Sequence, residues 1–454
     1  MNVDLAIVGS GSGNAIPPSL RDHKIALIDD GIFGGTCLNV GCIPTKMHVY
    51  PADVIASART AGRLGVDFTS PKVNYGDIQR RIFANRIDQI SAAGLRYRRE
   101  ECDNIEVLTD RAFFTGPHTL TVGEHQVHAK QIMLVAGARP AIPEVIAQSE
   151  IAYQTSDTIM RLAQLPEHLI ILGSGYIACE FAHIFSAFGS KVTVIGRSQV
   201  LLKHQDHTIA TRFTDVASQQ WDVRLGQPVV AARQAKGEIT LTFADGSRVS
   251  GDELLVATGR IPNSDRLEVS RAGIATHPDG RVQVDCHGRT NVPGVWACGD
   301  ISSPYQLKHV ANHEADVVFH NLTNPTQLRS FRHQAIPAAV FTWPQIASVG
   351  LTEEQAKDAQ RDYVTVSFDF GAVAYGWAME DEIGICKLLA DPNTGQLLGA
   401  HILGEQAALL LQGLTQAMAL GTDIRTMARE QYWIHPALSE VVENALLALE
   451  AKLH

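Results

Sequence analysis

Short uninterrupted apolar runs alternate along this chain with longer stretches that mix apolar and charged residues. The runs lie at 5–8, 25–28, 132–135, 169–172 and 254–256, each closed by glycine, alanine or aspartate, and 192–195 differs only by Thr193. Runs of that length without alternation predict parallel strands buried on both faces. Residues 50–100 carry a mixed-charge pattern (SARTAGRL, DIQRRIFANRIDQI) that predicts helices. Residues 104–135 and 221–250 predict short strands, with turns at Gly116-Pro117, Gly123 and Asp245-Gly246. The stretch 281–300 predicts a strand ending at Gly299 and Asp300, and a helix comes next within 305–322. In the last third, strands at 337–349, 363–370 and 384–403 precede helices at 405–421 and 437–452.

Two of the apolar runs open into glycine-rich turns. After 5–8 come Gly9, Gly11 and Gly13, with Asn14 at the third fingerprint position, and a helix is expected next. The second strand of that unit ends at Asp29, about 20 residues after the glycines, where a carboxylate can bond a ribose hydroxyl. After 168–172 come Gly173 and Gly175, with Ala178 third. Here the second strand ends in Gly196-Arg197, with Lys203 further on. A cation in place of the acid suits a nucleotide 2′-phosphate, hence NADPH over NADH. Two such units imply two dinucleotides. The order predicts an α/β fold: two Rossmann-like dinucleotide-binding domains, then a C-terminal α+β domain. The expected division is 1–148, 149–265, 266–332 (completing the first site) and 333–454.

Composition narrows the function. A net charge of −10 argues against nucleic acid as partner. No apolar run reaches the roughly 18 residues of a membrane-spanning helix. Seven scattered cysteines fit a reducing compartment, so a cytoplasmic location is expected. No His/Cys grouping suggests a metal.

The chemistry concentrates in GGTCLNVGCIPTK, residues 34–46. Cys37 and Cys42 are five positions apart, roughly 7.5 Å along a regular helix axis, too far to bridge without a distorted turn. Gly41 offers the backbone freedom for one. Pro44 predicts a helix starting near Cys42, whose N-terminus would favour a thiolate. Lys46 lies on the same helical face as Cys42 and adds positive charge. Near the C-terminus, His435 and Glu440 form a candidate general acid/base pair.

Taken in order, GSGSGN, GGTCLNVGCIPTK, GSGYIACE, VATGRIPN, GVWACGD and HPALSE resemble the flavoprotein disulfide reductases over essentially the whole chain. The resemblance implies FAD on the first unit, held by Gly9, Gly11, Gly13, Asp29, Gly35, Thr36 and Asp300. It implies NADPH on the second, held by Gly173, Gly175, Tyr176, Arg197 and Gly259. Lys46 would sit by the flavin and pair with Glu180. Cys42 would face the flavin, and Cys37 would be the interchange thiol that meets substrate. A homodimer is implied, with His435 and Glu440 serving the partner subunit's cysteines. The substrate class is a low-molecular-weight thiol disulfide. The stretches 156–168, 303–315, 373–381 and 431–447 resemble members acting on mycothiol disulfide. Glutathione-reductase-like activity, dihydrolipoamide dehydrogenase activity and a non-catalytic flavoprotein are the alternatives. Three positions depart from the family pattern: Asn14, Gly196-Arg197, and Trp433 where many members carry a second histidine.

Overall fold

The computed structural model describes residues 1–69 and 71–453. The first unit is built on strands β1 (Asn2–Val8), β2 (Ile25–Ile28), β3 (Ile105–Leu108), β4 (Ala112–Gly116), β5 (Thr119–Val122) and β6 (His125–Leu134), ordered β3-β2-β1-β6-β5-β4. β1, β2, β3 and β6 run parallel, whereas β4-β5-β6 form an antiparallel extension. All four residues of β2 are buried, as the unbroken apolar run requires.

Among the described residues, four α-helices lie between β2 and β3: α1 (Gly35–Asn39), α2 (Cys42–Thr60), α3 (Tyr75–Ile82) and α4 (Asp88–Glu100). Helix α2 contains Pro51, which cannot donate to the carbonyl of Met47 four residues earlier. Arg81 Nη2 supplies that bond at 3.1 Å, so the helix passes through the proline with its carbonyl satisfied.

One expected element is missing. The first glycine-rich turn does not open a helix. It ends in a single 3-10 turn at Ser12–Asn14, and another comes at Pro18–Leu20. The cause is local: Pro17 and Pro18 have no N–H to donate to Gly13 and Asn14, and only nine residues separate Asn14 from Lys24.

The strand β7 (Ala138–Pro140) leaves the first unit and leads to α5 (Glu144–Ala147). The second unit holds β8 (His168–Leu172), α6 (Tyr176–Phe188), β9 (Lys191–Gly196), α7 (His207–Gln220), β10 (Asp222–Leu225), β11 (Val229–Ala235), β12 (Glu238–Phe243), β13 (Arg248–Gly251) and β14 (Glu253–Val256). Its parallel sheet is ordered β10-β9-β8-β14, and β11-β12-β13 form an antiparallel meander. The return strand β15 (Arg260–Pro262) pairs antiparallel with β7. The two similar strings ARP and RIP are therefore the two sides of one ribbon joining the units. The chain then re-enters the first sheet: β16 (Val295–Ala297) pairs with β6, and α8 (Lys308–Thr323) packs beneath it.

The C-terminal layer is antiparallel, in the order β17-β18-β21-β20-β19. Its strands are β17 (Ala338–Val340), β18 (Gln345–Gly350), β19 (Val364–Asp369), β20 (Ile385–Ala390) and β21 (Leu397–Gly404). Short helices α9 (Glu353–Asp358) and α10 (Ala374–Ala378) interrupt it. Helices α11 (Ala407–Leu420), α12 (Ile424–Arg429) and α13 (Ser439–Glu450) close one apolar core against it. Among the described residues, no helix is long and apolar enough to cross a membrane.

Candidate active site

Cys37 lies inside α1 and Cys42 is the first residue of α2. The break between the two helices, at Val40-Gly41, resolves the spacing problem posed by a continuous helix. Gly41 is required here by space: a Cβ would stand 2.9 Å from the Thr36 carbonyl oxygen and 3.3 Å from the Cys37 Cα. Thr45 Oγ1 donates to the Gly41 carbonyl at 2.7 Å and fixes the first turn of α2.

Both cysteines are thiols in this structure. Each thiol shifts the other's titration. A hydrogen bond from Cys37 holds the Cys42 pKa down to about 7, with help from the Lys46 ammonium. The same bond, then burial, pushes the Cys37 thiol far up. Proton loss is thus favoured at Cys42 and opposed at Cys37.

Lys46 is anchored from the second unit. Its Nζ stands 2.6 Å from Glu180 Oε2 on α6, while Glu180 Oε1 accepts the Phe341 N–H at 2.9 Å. The ammonium also lies 4.5 Å from the centre of the Phe341 ring. No sequence pattern marks Phe341 as a site residue, because it acts through a backbone N–H and a ring contact that only the fold brings to Lys46.

The two glycine-rich turns repeat one geometry. Gly9 has φ +116° and a Cβ there would meet the Val135 carbonyl oxygen at 2.3 Å; Gly173 has φ +142° and would meet that of Ala257 at 2.2 Å. In both units the turn passes so close beneath the crossing strand that only glycine fits. In the first unit, Asp29 Oδ2 accepts the Ser10 N–H at 2.6 Å, tying the end of β2 to the turn. A cleft beside it is lined by Gly9, Asp29, Asp30, Asp110 and Asn263.

The residues fit a flavin dinucleotide on this unit. A Cβ at Gly35 would fill the space against Gly11, 2.6 Å from its Cα. Asp300, at the end of the β16 segment, is half-buried and makes no side-chain hydrogen bond among the described residues. Burial holds its pKa above the usual carboxylate range. A hydroxyl donor would relieve that carboxylate. On the second unit, Tyr176 opens α6 and remains partly exposed, and a Cβ at Gly175 or Gly259 would meet nothing within 4 Å. Gly196 packs against Ser174, leaving the exposed Arg197 as the first side chain past β9.

His435 Nδ1 lies 2.7 Å from Glu440 Oε1, and Glu440 Oε2 accepts the Ala437 N–H at 3.1 Å. The carboxylate is thus held from two sides, and its bond to His435 lowers its pKa. His435 is 72% exposed at its side chain, and no hydrogen bond or ion pair among the described residues joins it to the cysteines of the same chain. Trp433 is half-buried and donates from Nε1 to the Ala428 carbonyl at 3.0 Å, which makes it a strut of this corner. Among the described residues, no group of His, Cys, Asp and Glu could hold a metal ion.

Residues 3–315 match the model of the pyridine nucleotide-disulphide oxidoreductases, and residues 336–446 match the dimerisation domain of the same proteins. The chain belongs to that family. It is a flavoprotein disulfide reductase whose redox pair is Cys37 and Cys42. The family implies a flavin and a pyridine nucleotide as cofactors, and its dimerisation domain implies a homodimer. Among its members, a mycothione reductase of Mycobacterium tuberculosis is 50% identical over 458 residues, covering 98% of this chain and 99% of the relative. A glutathione reductase of Burkholderia cepacia is 31% identical over 448 residues, covering 96% and 97%. Among solved structures, the HOCl-induced flavoprotein disulfide reductase RclA of Escherichia coli superposes with a TM-score of 0.85 at 27% identity, covering 98% and 99%.

Proposed function

We propose that this enzyme reduces mycothiol disulfide to two thiols at the expense of NADPH. The observation that carries the reading is the 50% identity to a mycothione reductase across 98% of the chain. The cysteine pair, the acid/base pair and the cationic end of β9 agree with it. Residues 1–148 with 266–332 would take FAD, through Gly9, Gly11, Gly13, Asp29, Gly35, Thr36 and Asp300. Residues 149–265 would take NADPH, through Gly173, Gly175, Tyr176, Arg197 and Gly259. Residues 333–454 would form the dimer and carry His435 and Glu440 to the partner subunit.

When bound, the two cofactors supply the electron pair that opens the Cys37–Cys42 disulfide. The protein's own residues manage the rest. Lys46 and the start of α2 keep Cys42 as a thiolate. The remaining proton sits on Cys37, so the imidazole of the partner's His435 must accept it before Cys37 can attack. The Cys37 thiolate then forms a bond to one substrate sulfur and the substrate S–S bond breaks. The imidazolium, held by Glu440, returns the proton to the departing thiolate. The Cys42 thiolate attacks the Cys37 sulfur of the mixed disulfide. This restores the Cys37–Cys42 disulfide and expels the second thiolate, which takes its proton from solvent.

The test is NADPH oxidation measured side by side with mycothiol, glutathione and lipoyl disulfides. Turnover with mycothiol disulfide alone is expected. Turnover confined to either of the others would overturn the substrate while leaving the cysteine chemistry standing. A Cys37→Ser protein should lose disulfide turnover yet still bleach its flavin with NADPH.

A further inference from the structure

The two glycine-rich turns lead into different structures. Gly175 leads into α6, thirteen residues whose N-terminal end carries roughly half a positive charge toward a bound diphosphate. The first turn leads into three residues of 3-10 helix and then prolines, so it has no comparable dipole. The face of β1 and β2 where a helix would lie is covered by Ile16 and Leu20 of the loop, Leu95 of α4, and Ala315, Val318 and Phe319 of α8.

Each of those two flanking helices sends one cation to the turn. From α4, Arg98 donates from Nε to Asn14 Oδ1 at 2.8 Å and from Nη2 to the Asn14 carbonyl at 2.6 Å. That carbonyl is the one a helix would have paired with the N–H of residue 18, and residue 18 is proline. From α8, Lys308 Nζ donates to Ser12 Oγ at 2.9 Å, and Ser12 Oγ donates to Asn312 Oδ1 at 3.0 Å. Ser12, between Gly11 and Gly13, is 5% exposed. Asn14, which weakens the glycine fingerprint when read alone, is thus the docking point of an arginine.

We propose that Arg98 and Lys308 form a two-sided cationic clamp that replaces the missing helix at the first turn, holding its backbone N–H groups in place and supplying positive charge to the FAD diphosphate. The inference rests on the reading that the first unit takes FAD. The clamp residues are positioning residues: they act through Ser12 and Asn14 and through charge.

The test uses the full-length protein, stripped of flavin and titrated with FAD, in wild-type, R98M, R98K and K308M forms. NADP⁺ affinity serves as an internal control, because the second turn keeps its own helix. R98M and K308M are each expected to weaken FAD binding about tenfold or more, the scale of a charge-assisted hydrogen bond, with NADP⁺ affinity unchanged. R98K keeps the charge and loses the two-point grip, so it should fall between wild type and R98M. The salt dependence of FAD binding should shrink in R98M and K308M. FAD affinity within twofold of wild type in both, or an equal loss of NADP⁺ affinity, would overturn the clamp. A wild-type protein that takes up no FAD would overturn the cofactor reading itself, and the clamp with it.

Discussion

At the scale of single residues, the cysteine pair is asymmetric because its two sulfurs titrate in opposite directions in unequal surroundings. Cys42 has a helix start and the Lys46 ammonium; Cys37 has burial and the bond it donates. Since the Cys42 pKa is lowered to about 7, the thiolate should be present above that pH and disappear as pH falls through it. The check is a titration of the long-wavelength thiolate band of the two-electron-reduced enzyme. Lys46→Met removes a Coulombic stabiliser of the thiolate, so the midpoint should move to higher pH. An unmoved midpoint would leave the Cys37 hydrogen bond as the main cause. These partners were only partly legible. The string GGTCLNVGCIPTK announced the cysteines and Lys46, whereas Phe341 and the exclusion of a Cβ at Gly41 depend on what folds against them.

At the scale of elements, α2 and α6 are fastened by three polar rungs. Lys46 meets Glu180, Asp53 meets His183 at 2.7 Å, and Arg59 donates to the Ser186 and Ala187 carbonyls at 3.1 and 2.8 Å. The rungs follow the same chain order on both helices, at steps of seven and six residues on α2 against three on α6. The middle rung is the enclosed one: His183 is 2% exposed. Asp53→Ala should cost about 1–3 kcal/mol of stability by leaving that imidazole without its acceptor, read as a lowered Tm. It should also disturb Lys46, because the rungs share one interface. A Tm unchanged by the substitution would show that water replaces the carboxylate. Element types were largely legible from apolar runs and glycine turns. The absence of the first helix was not, although Pro17 and Pro18 oppose one, because the glycine fingerprint implies a helix and is silent on the prolines beyond it.

At the scale of the whole molecule, the second unit is tied to the C-terminal layer by a buried ion cluster. Lys387, 3% exposed on β20, reaches Asp206 at 2.8 Å, Thr208 at 3.0 Å and Glu353 at 2.6 Å. The bond from Lys387, then one from Lys357, lowers the Glu353 pKa to about 2. Its folded value lies below the ordinary one, so its contribution is complete above the ordinary carboxylate range and is lost only as pH falls toward 2. Lys387→Met should destabilise the fold by about 3–5 kcal/mol, because it leaves the fully buried Asp206 carboxylate with only backbone donors and no counter-charge. Adding Asp206→Asn should recover part of that loss in chemical denaturation. A double variant no more stable than Lys387→Met would show that the cost is lost packing, not a stranded charge.

The dimer has its own test at this scale. Cys37→Ser and His435→Gln subunits are each expected to be nearly inactive. Mixed and allowed to exchange, they should regain about a quarter of wild-type turnover, because half the dimers are hybrids with one intact site in two. If His435 served its own chain, the mixture would stay inactive.

The sequence by itself determined the family, the cysteine pair and the place of the two glycine-rich turns. Those depend on local rules: a buried strand needs an unbroken apolar run, a tight turn needs glycine, and a redox pair needs two cysteines at a reachable spacing. Tertiary structure decided which charges meet. Lys46 and Glu180 are 134 positions apart, Arg98 and Asn14 are 84, Lys308 and Ser12 are 296. No local pattern links residues at such separations. Their pairing comes from the packing of helices across layers, and that packing turned a glycine-rich turn without its helix into one gripped from both sides.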